Sequence, residues 1–239
     1  MVSLSGLIKV LLFAGLGVAL SVWVVENPQD GLVARLVTYD KVCVLLLQHF
    51  YLVIVSALLA VLTAVPLGVA LTRSQLKAWA PRVLAVVNVC QTVPSLAVVA
   101  LSVGLLGVGA KTSIIALWIY SLLPILSNTL IGLQEVDASI TEAALGMGMK
   151  TRSVLFRVEL PIAAPMIVAG IRTAVTITIG SAILAAFVGG GGMGNLIIAG
   201  NNISRWQVLL LGAALPVLMA LMADVVFESI ERKSSLWSS

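Results

Sequence analysis

The sequence predicts an all-α membrane protein with six transmembrane helices and one large polar loop. Three observations carry this. Hydrophobic residues make up 60% of the 239 residues and charged residues only 10%, with a mean hydropathy of +1.14. Soluble globular domains do not reach such values. Apolar stretches of about 20 residues or more recur along the chain, the length a helix needs to cross a bilayer. Strand-like alternation is absent, and inside lipid a helix is the economical way for a backbone to satisfy its own hydrogen bonds.

Composition also excludes several functions. The net charge of +4 comes from scattered basic residues without an aromatic-basic patch, so nucleic acid is not the partner. Cys43 and Cys90 lie in different segments without metal-ligand neighbours, which supports neither a zinc site nor a disulfide framework. There is no H-E-x-x-H and no pair of membrane carboxylates, so no catalytic residue or metal ligand is assigned and an intramembrane enzyme is disfavoured. The chain reads as one transmembrane domain over residues 1–239, with no linker to a second domain.

The expected spans are about 5–25, 47–72, 82–106, 112–134, 161–188 and 206–228. The first has Lys9 before its apolar run but no small-residue cleavage site around Trp23-Val24-Val25-Glu26, so it reads as a retained span. Residues 26–46, with Pro28, Asp30, Gly31 and Asp40, read as a modest loop, and His49 as an interfacial histidine at the outer start of the second span.

The third span holds Asn88, Gln91, Thr92, Pro94 and Ser95. Asn88, Gln91 and Ser95 are three and four apart, so on a continuous helix they share a face. Pro94 removes a backbone bond and should kink the helix. This face is a candidate lining for a polar-solute pathway; the alternative is helix packing. The fourth span also holds Ser121, Pro124, Ser127 and Asn128, and the fifth Thr173, Thr176, Thr178 and Ser181; the Ser and Thr residues among them fit packing better, because hydroxyl residues are routine between membrane helices.

Arg172 and Asp224 are intramembrane charges, which are expensive and normally face the bundle with a partner. They could pair with each other, or Arg172 could meet backbone carbonyls; a structural role is favoured over contact with solute. Gly189, Gly190, Gly191, Gly192 and Gly194 formally match G-x-G-x-x-G, but they follow a membrane helix rather than a strand, so the dinucleotide reading fails. They read as a tight outer turn, a candidate gate, before a short helix over 195–203. Trp23, Trp79 and Trp206 lie near span ends as an aromatic belt predicts. A short Ser-rich tail follows Arg232.

The polar loop runs from Glu135 to Pro161 and carries seven charged residues. Ser139-Ile140-Thr141-Glu142 reads as a capping box, which starts a helix near Asp137 or Ser139. Gly146 and Gly148 should break it near Gly148, and Thr151 can cap a second short helix. If this loop is cytoplasmic, both termini are too. That side then holds Lys9, Arg73, Lys77, Arg82, Lys150, Arg152, Arg157, Arg232 and Lys233, against Arg35, Lys41, Lys111 and Arg205 outside, as the positive-inside rule requires.

Glu142-Ala143-Ala144, three residues, Gly148, nine residues, then Val158-Glu159-Leu160-Pro161 resembles the EAA loop of ABC-importer permeases, with Val158 where the pattern has Ile. Gln91-Thr92-Val93-Pro94-Ser95-Leu96-Ala97 is similar to the QT(V/I)PSLA segment of the osmoprotectant permeases, the glycine betaine, choline and carnitine group. Phe187 to Gly194 resembles their glycine-rich turn, and Ala169 to Ala174 extends the likeness, which covers about residues 47–230.

The resemblance implies a type I ABC-importer permease fold and an alternating-access transporter in the bacterial inner membrane. Glu142, Ala143, Ala144, Gly148, Leu160 and Pro161 would couple it to ATPase subunits. The chain has no Walker motif, so ATP and magnesium would be bound by two partner ATPase subunits. A separate solute-binding protein and a second permease subunit, identical or different, are implied as well. With aromatics at 5% no cation cage can be assembled, which fits a high-affinity site on the binding protein. An amino-acid or other small-solute importer remains the alternative; a passive channel would have no use for the loop.

Overall fold

The computed structural model describes residues 4–235; the Ser-rich tail expected after Arg232 lies partly outside them. Five helices among these residues are long and apolar enough to cross a membrane: α1 (Leu4–Glu26), α3 (Tyr39–Thr72), α6 (Ala110–Gln134), a continuous helical run from Thr151 to Val188, and α11 (Trp206–Ser235). The sixth expected span is a broken pair, α4 (Ala80–Thr92) and α5 (Ser95–Leu106), entered through a 3-10 turn at Lys77–Trp79 and bent by 98°.

Two expectations are corrected here. Residues 26–46 are not a plain loop. Asp30 accepts the Leu32 and Val33 amides, each at 3.0 Å, and caps the short helix α2 (Gly31–Leu36). Thr38 then caps α3, which starts at Tyr39 rather than near 47. A capping side chain ahead of an apolar run was the signal for both. His49 is not interfacial: it is fully buried, with Nε2 donating to the Ile179 carbonyl at 3.1 Å.

α6 is the centre of the bundle. α3 and α9 (Leu160–Ser181) pack against it, α4 and α5 cover another side, α11 lies against α9, and α1 lies against α11. Lipid tails are as apolar as leucine, so such helices are held by close contact rather than by escape from water. The contacts are glycine-mediated. A Cβ at Gly170 would stand 2.8 Å from the Pro124 carbonyl oxygen, one at Gly132 2.8 Å from Met166 Cβ, and one at Gly68 2.7 Å from Thr129 Cγ2. Ser121 and Thr178 join α6 to α9 through buried hydroxyls 2.6 Å apart, in the packing role expected of them. Thr173 and Thr176 bond back to their own helix.

The two ends of the bundle are closed differently. At one end α2, α10 (Gly194–Asn202) and α11 surround a core of Val24, Val33, Val37, Met193, Leu196 and Val208. Arg205 reaches Asp30 there at 2.5 Å, Gln207 bridges to Asn27 and Gln29, and Trp23 lies against Trp206 with centroids 5.8 Å apart. The Arg205 guanidinium and, before it, the Val33 amide hold the Asp30 carboxyl below its usual range. At the opposite end lie the polar loop and the far ends of α3 and α11.

The question left open for Arg172 has a definite answer. Its Nε and Nη2 meet the two Asp224 oxygens at 2.6 and 2.9 Å, and Nη1 donates to Glu231 at 3.2 Å. The fork geometry suits a bidentate carboxylate, and Glu231 was not anticipated. Arg172→Met should therefore lower the thermal stability of the detergent-purified protein, by about 2 kcal/mol for charge-assisted bonds of this kind. Adding Asp224→Asn should recover part of the loss, because it removes the orphaned charge. A thermal-unfolding series on the two single variants and the double variant measures both.

Candidate functional site

The polar loop folds as helix, elbow, helix. α7 (Ala138–Gly146) is capped by Asp137, whose carboxylate accepts the Ser139 amide at 2.8 Å and is held below its usual range by that bond. The expected Ser139–Glu142 capping box is thus not formed, since Ser139 lies inside the helix. At the other end Gly148 has φ +85°. Its amide bonds the Leu145 carbonyl at 2.9 Å, and the Met149 amide bonds the Ala144 carbonyl at 3.2 Å. These two bonds around a left-handed residue are a Schellman motif, so the glycine elbow falls where the spacing placed it.

Glu142 and Ala143 are exposed on α7, whereas Ala144 is buried. Ile140, Leu145, Met147 and Phe156 add exposed apolar surface to the loop. After the elbow, Lys150 rather than Thr151 occupies the cap position of α8 (Thr151–Val154), and its carbonyl receives the Ser153 and Val154 amides. The chain then widens into a π-helical turn at Leu155–Glu159, where the Leu160 amide reaches back to the Leu155 carbonyl. Leu160 and Pro161 open α9, half-buried. Glu159 forms a forked ion pair with Arg73 at the end of α3, at 2.5 and 3.3 Å.

The third-span residues do not share one helix face. α4 ends at Thr92 and α5 begins at Ser95, so the 98° break separates Ser95 from Asn88 and Gln91. Pro124 in α6 has no amide hydrogen, which leaves the Tyr120 carbonyl without its helical donor. The Gln91 amide fills that place at 2.7 Å. In return the Tyr120 hydroxyl donates to the Gln91 carbonyl at 3.4 Å and to the Val93 carbonyl, at the exposed end of α4. Tyr120 was missed by sequence reasoning; its place four residues before Pro124 was the available signal. Asn88 is exposed on α4, Thr92 bonds back to the Val89 carbonyl at 2.8 Å, and Ser95 is half-buried at the start of α5.

The glycine run is a turn between a 3-10 segment (Ala182–Val188) and α10. Gly189, Gly191 and Gly192 have positive φ, between 70° and 86°. Side chains at Gly190 and Gly194 would overlap Ser113 Oγ and the Ile183 carbonyl oxygen respectively. Gln48 Oε1 accepts the Gly192 amide at 3.1 Å, and the Gly109 amide bonds the Val188 carbonyl at 2.7 Å. The turn lies at the end of the bundle away from the polar loop.

Crossing helices in close glycine contact, one span broken by 98°, and a structured polar loop at one end make up a multi-pass membrane fold. Residues 64–235 match the binding-protein-dependent transport system inner membrane component family, and the chain belongs to it. Permeases of this family are parts of ABC importers, which also comprise an ATPase and a solute-binding protein. The chain is 44% identical to the choline transport system permease protein OpuBB of Bacillus subtilis over 186 residues, 78% of this chain and 85% of that one. It is 39% identical to the carnitine transport permease protein OpuCD of Listeria monocytogenes, over 77% and 82% of the two chains. It is 40% identical to the osmoprotectant import permease protein OsmY of Salmonella typhimurium, over 79% and 80%. The fold matches a structure of the MetNI methionine ABC transporter with a TM-score of 0.73 over 81% of this chain and 96% of that one, at 21% identity.

The elbow gives a direct test. Under the coupling role that the resemblance implies for this loop, Gly148→Val should leave membrane insertion intact but break the link between ATP hydrolysis and uptake, because a branched side chain in this backbone region costs about 1–2 kcal/mol. Gly148→Asn, which tolerates the left-handed region, should retain most of the link. ATP hydrolysed per solute imported, measured in the reconstituted importer, distinguishes them.

Proposed function

We propose that this chain is the permease subunit of an ATP-driven importer for compatible solutes of the glycine betaine, choline and carnitine type. The observation that carries the reading is identity of 39–44% to choline and carnitine permeases over more than three quarters of the chain. It is supported by Gln91 to Ala97, which resemble a segment of that group and contain the break between α4 and α5.

The loop of Glu142, Ala143, Ala144, Gly148, Leu160 and Pro161 docks on an ATPase dimer, which binds the ATP and magnesium. The loop lies outside the apolar spans and exposes Ile140, Leu145, Met147 and Phe156, surface that suits burial against a soluble partner. A second permease subunit completes the pathway, and a separate binding protein delivers solute at the glycine turn. Both termini and the loop face the cytoplasm of a bacterial inner membrane, in keeping with the lysine and arginine bias.

ATP binding closes the ATPase dimer, moves the loops, and opens the bundle outward; hydrolysis resets it. Gly189, Gly190, Gly191, Gly192 and Gly194 form the outer gate. Asn88, Thr92 and Ser95 line the solute path on either side of the break, while Gln91 holds that break open on Tyr120. A zwitterion needs dipoles rather than a fixed charge, and the carbonyls around a broken membrane helix supply them.

Uptake of radiolabelled betaine, choline, carnitine and methionine by proteoliposomes containing the complete importer tests the substrate class. Competition among the first three and indifference to methionine is the expected result; transport of methionine alone would overturn it. The path is tested separately by cysteine at 88 or 95 in a background lacking Cys43 and Cys90. Modification by a small water-soluble thiol reagent is expected in at least one nucleotide state. Protection of both positions in the resting and the ATP-trapped states would make this region packing.

A further inference from the structure

We propose that α3 carries movement of the polar loop to the glycine turn, with Arg73 and Glu159 as its joint at one end and Gln48 and His49 as its joint at the other. The inference rests on the importer reading above and adds residues that reading did not use. The loop is covalently continuous with α6 and α9, so both follow it directly. α3 is not continuous with it. Its far end is tied to the loop by the forked Arg73–Glu159 pair, in which the Glu159 side chain is only 14% exposed and that of Arg73 33%. Glu159 is also the last residue of the π-helical turn, a feature frequent at functional sites.

From Arg73 to Gln48 the helix spans about 37 Å at 1.5 Å per residue. There Gln48 Oε1 accepts the Gly192 amide, and His49 fits beneath the same glycine, where an added Cβ would lie 3.2 Å from Nδ1. His49 Nε2 bonds the Ile179 carbonyl just before α9 tightens into its 3-10 segment. Two successive residues of α3 therefore meet the turn at Gly192, and one of them also bonds α9. Between the joints α3 keeps close contact with α6, Gly68 against Thr129 and the Ser56 hydroxyl donating to the Ile114 carbonyl at 3.2 Å, and Pro66 lies within its helical run.

The test uses the complete importer in proteoliposomes and reads ATP hydrolysed per solute imported. Arg73→Glu and Glu159→Arg should each raise that ratio by about fivefold, the low end of coupling effects between sites. The double variant, which restores the pair with its charges exchanged, should return it to within about twofold of wild type, as expected when two changes act through one contact. Gln48→Leu, which removes the acceptor at similar bulk, should raise the ratio while the ATPase still co-purifies.

Should the charge reversals fail to assemble, Arg73→Gln and Glu159→Gln serve as milder replacements, with the same rise expected. Single variants with unchanged ratio and normal ATPase association would overturn the proposal. So would a double variant no better than the singles, or a silent Gln48→Leu. Failure of the importer reading would show differently, as absence of ATP-driven uptake by the wild-type assembly.

Discussion

Proline removes a backbone donor that the interior of a bilayer cannot replace with water, and much of this structure answers that constraint. Pro124 leaves the Tyr120 carbonyl open, and Gln91 closes it. The break at Val93-Pro94 leaves the end of α4 open, and the Tyr120 hydroxyl closes that. The two defects lie on different helices and each supplies the repair for the other. Without this exchange, a 98° bend within the apolar zone would strand several polar groups, each costing several kcal/mol. The polar cradle proposed for solute is thus what remains after the backbone has been satisfied.

How far the sequence was legible follows from the range of each signal. Span positions, the elbow at Gly148 and the glycine turn were readable, because hydropathy, block spacing and left-handed backbone demand are local properties. Pro94 announced a kink, but the residue that bonds the carbonyls it frees, Tyr120, lies 26 residues further on and makes sense only in three dimensions. The capping box failed for a local reason: Asp137 stands two residues earlier and caps α7 with its carboxylate. His49 was misplaced because its acceptor, the Ile179 carbonyl, is 130 residues away. Arg73 and Glu159 were counted only as charges flanking the membrane, although a glutamate inside an otherwise apolar Val-x-Leu-Pro block invited a search for its partner.

Charge is scarce in this chain, and much of it is spent on fastening. Asp30–Arg205 ties the helices at one end, Arg73–Glu159 ties the loop to α3, and Arg172 gathers Asp224 and Glu231 between α9 and α11. Each pair joins elements distant in sequence. Paired charges near a low-dielectric region fix register strongly, since removing one partner leaves the other uncompensated. The neutral helix contacts, built on glycine and hydroxyl residues, set distance instead.

The π-helical turn at Leu155–Glu159 gives the loop a property that an ordinary helix lacks. A wide turn holds one residue more than its neighbours, and that surplus can pass along the chain by exchanging one hydrogen bond at a time. Each such exchange passes one residue from one side of the wide turn to the other and re-aims its side chain by about 100°, while the helix beyond stays whole. In the structure that extra residue places Glu159 at the α9 end of the wide turn, where it pairs with Arg73.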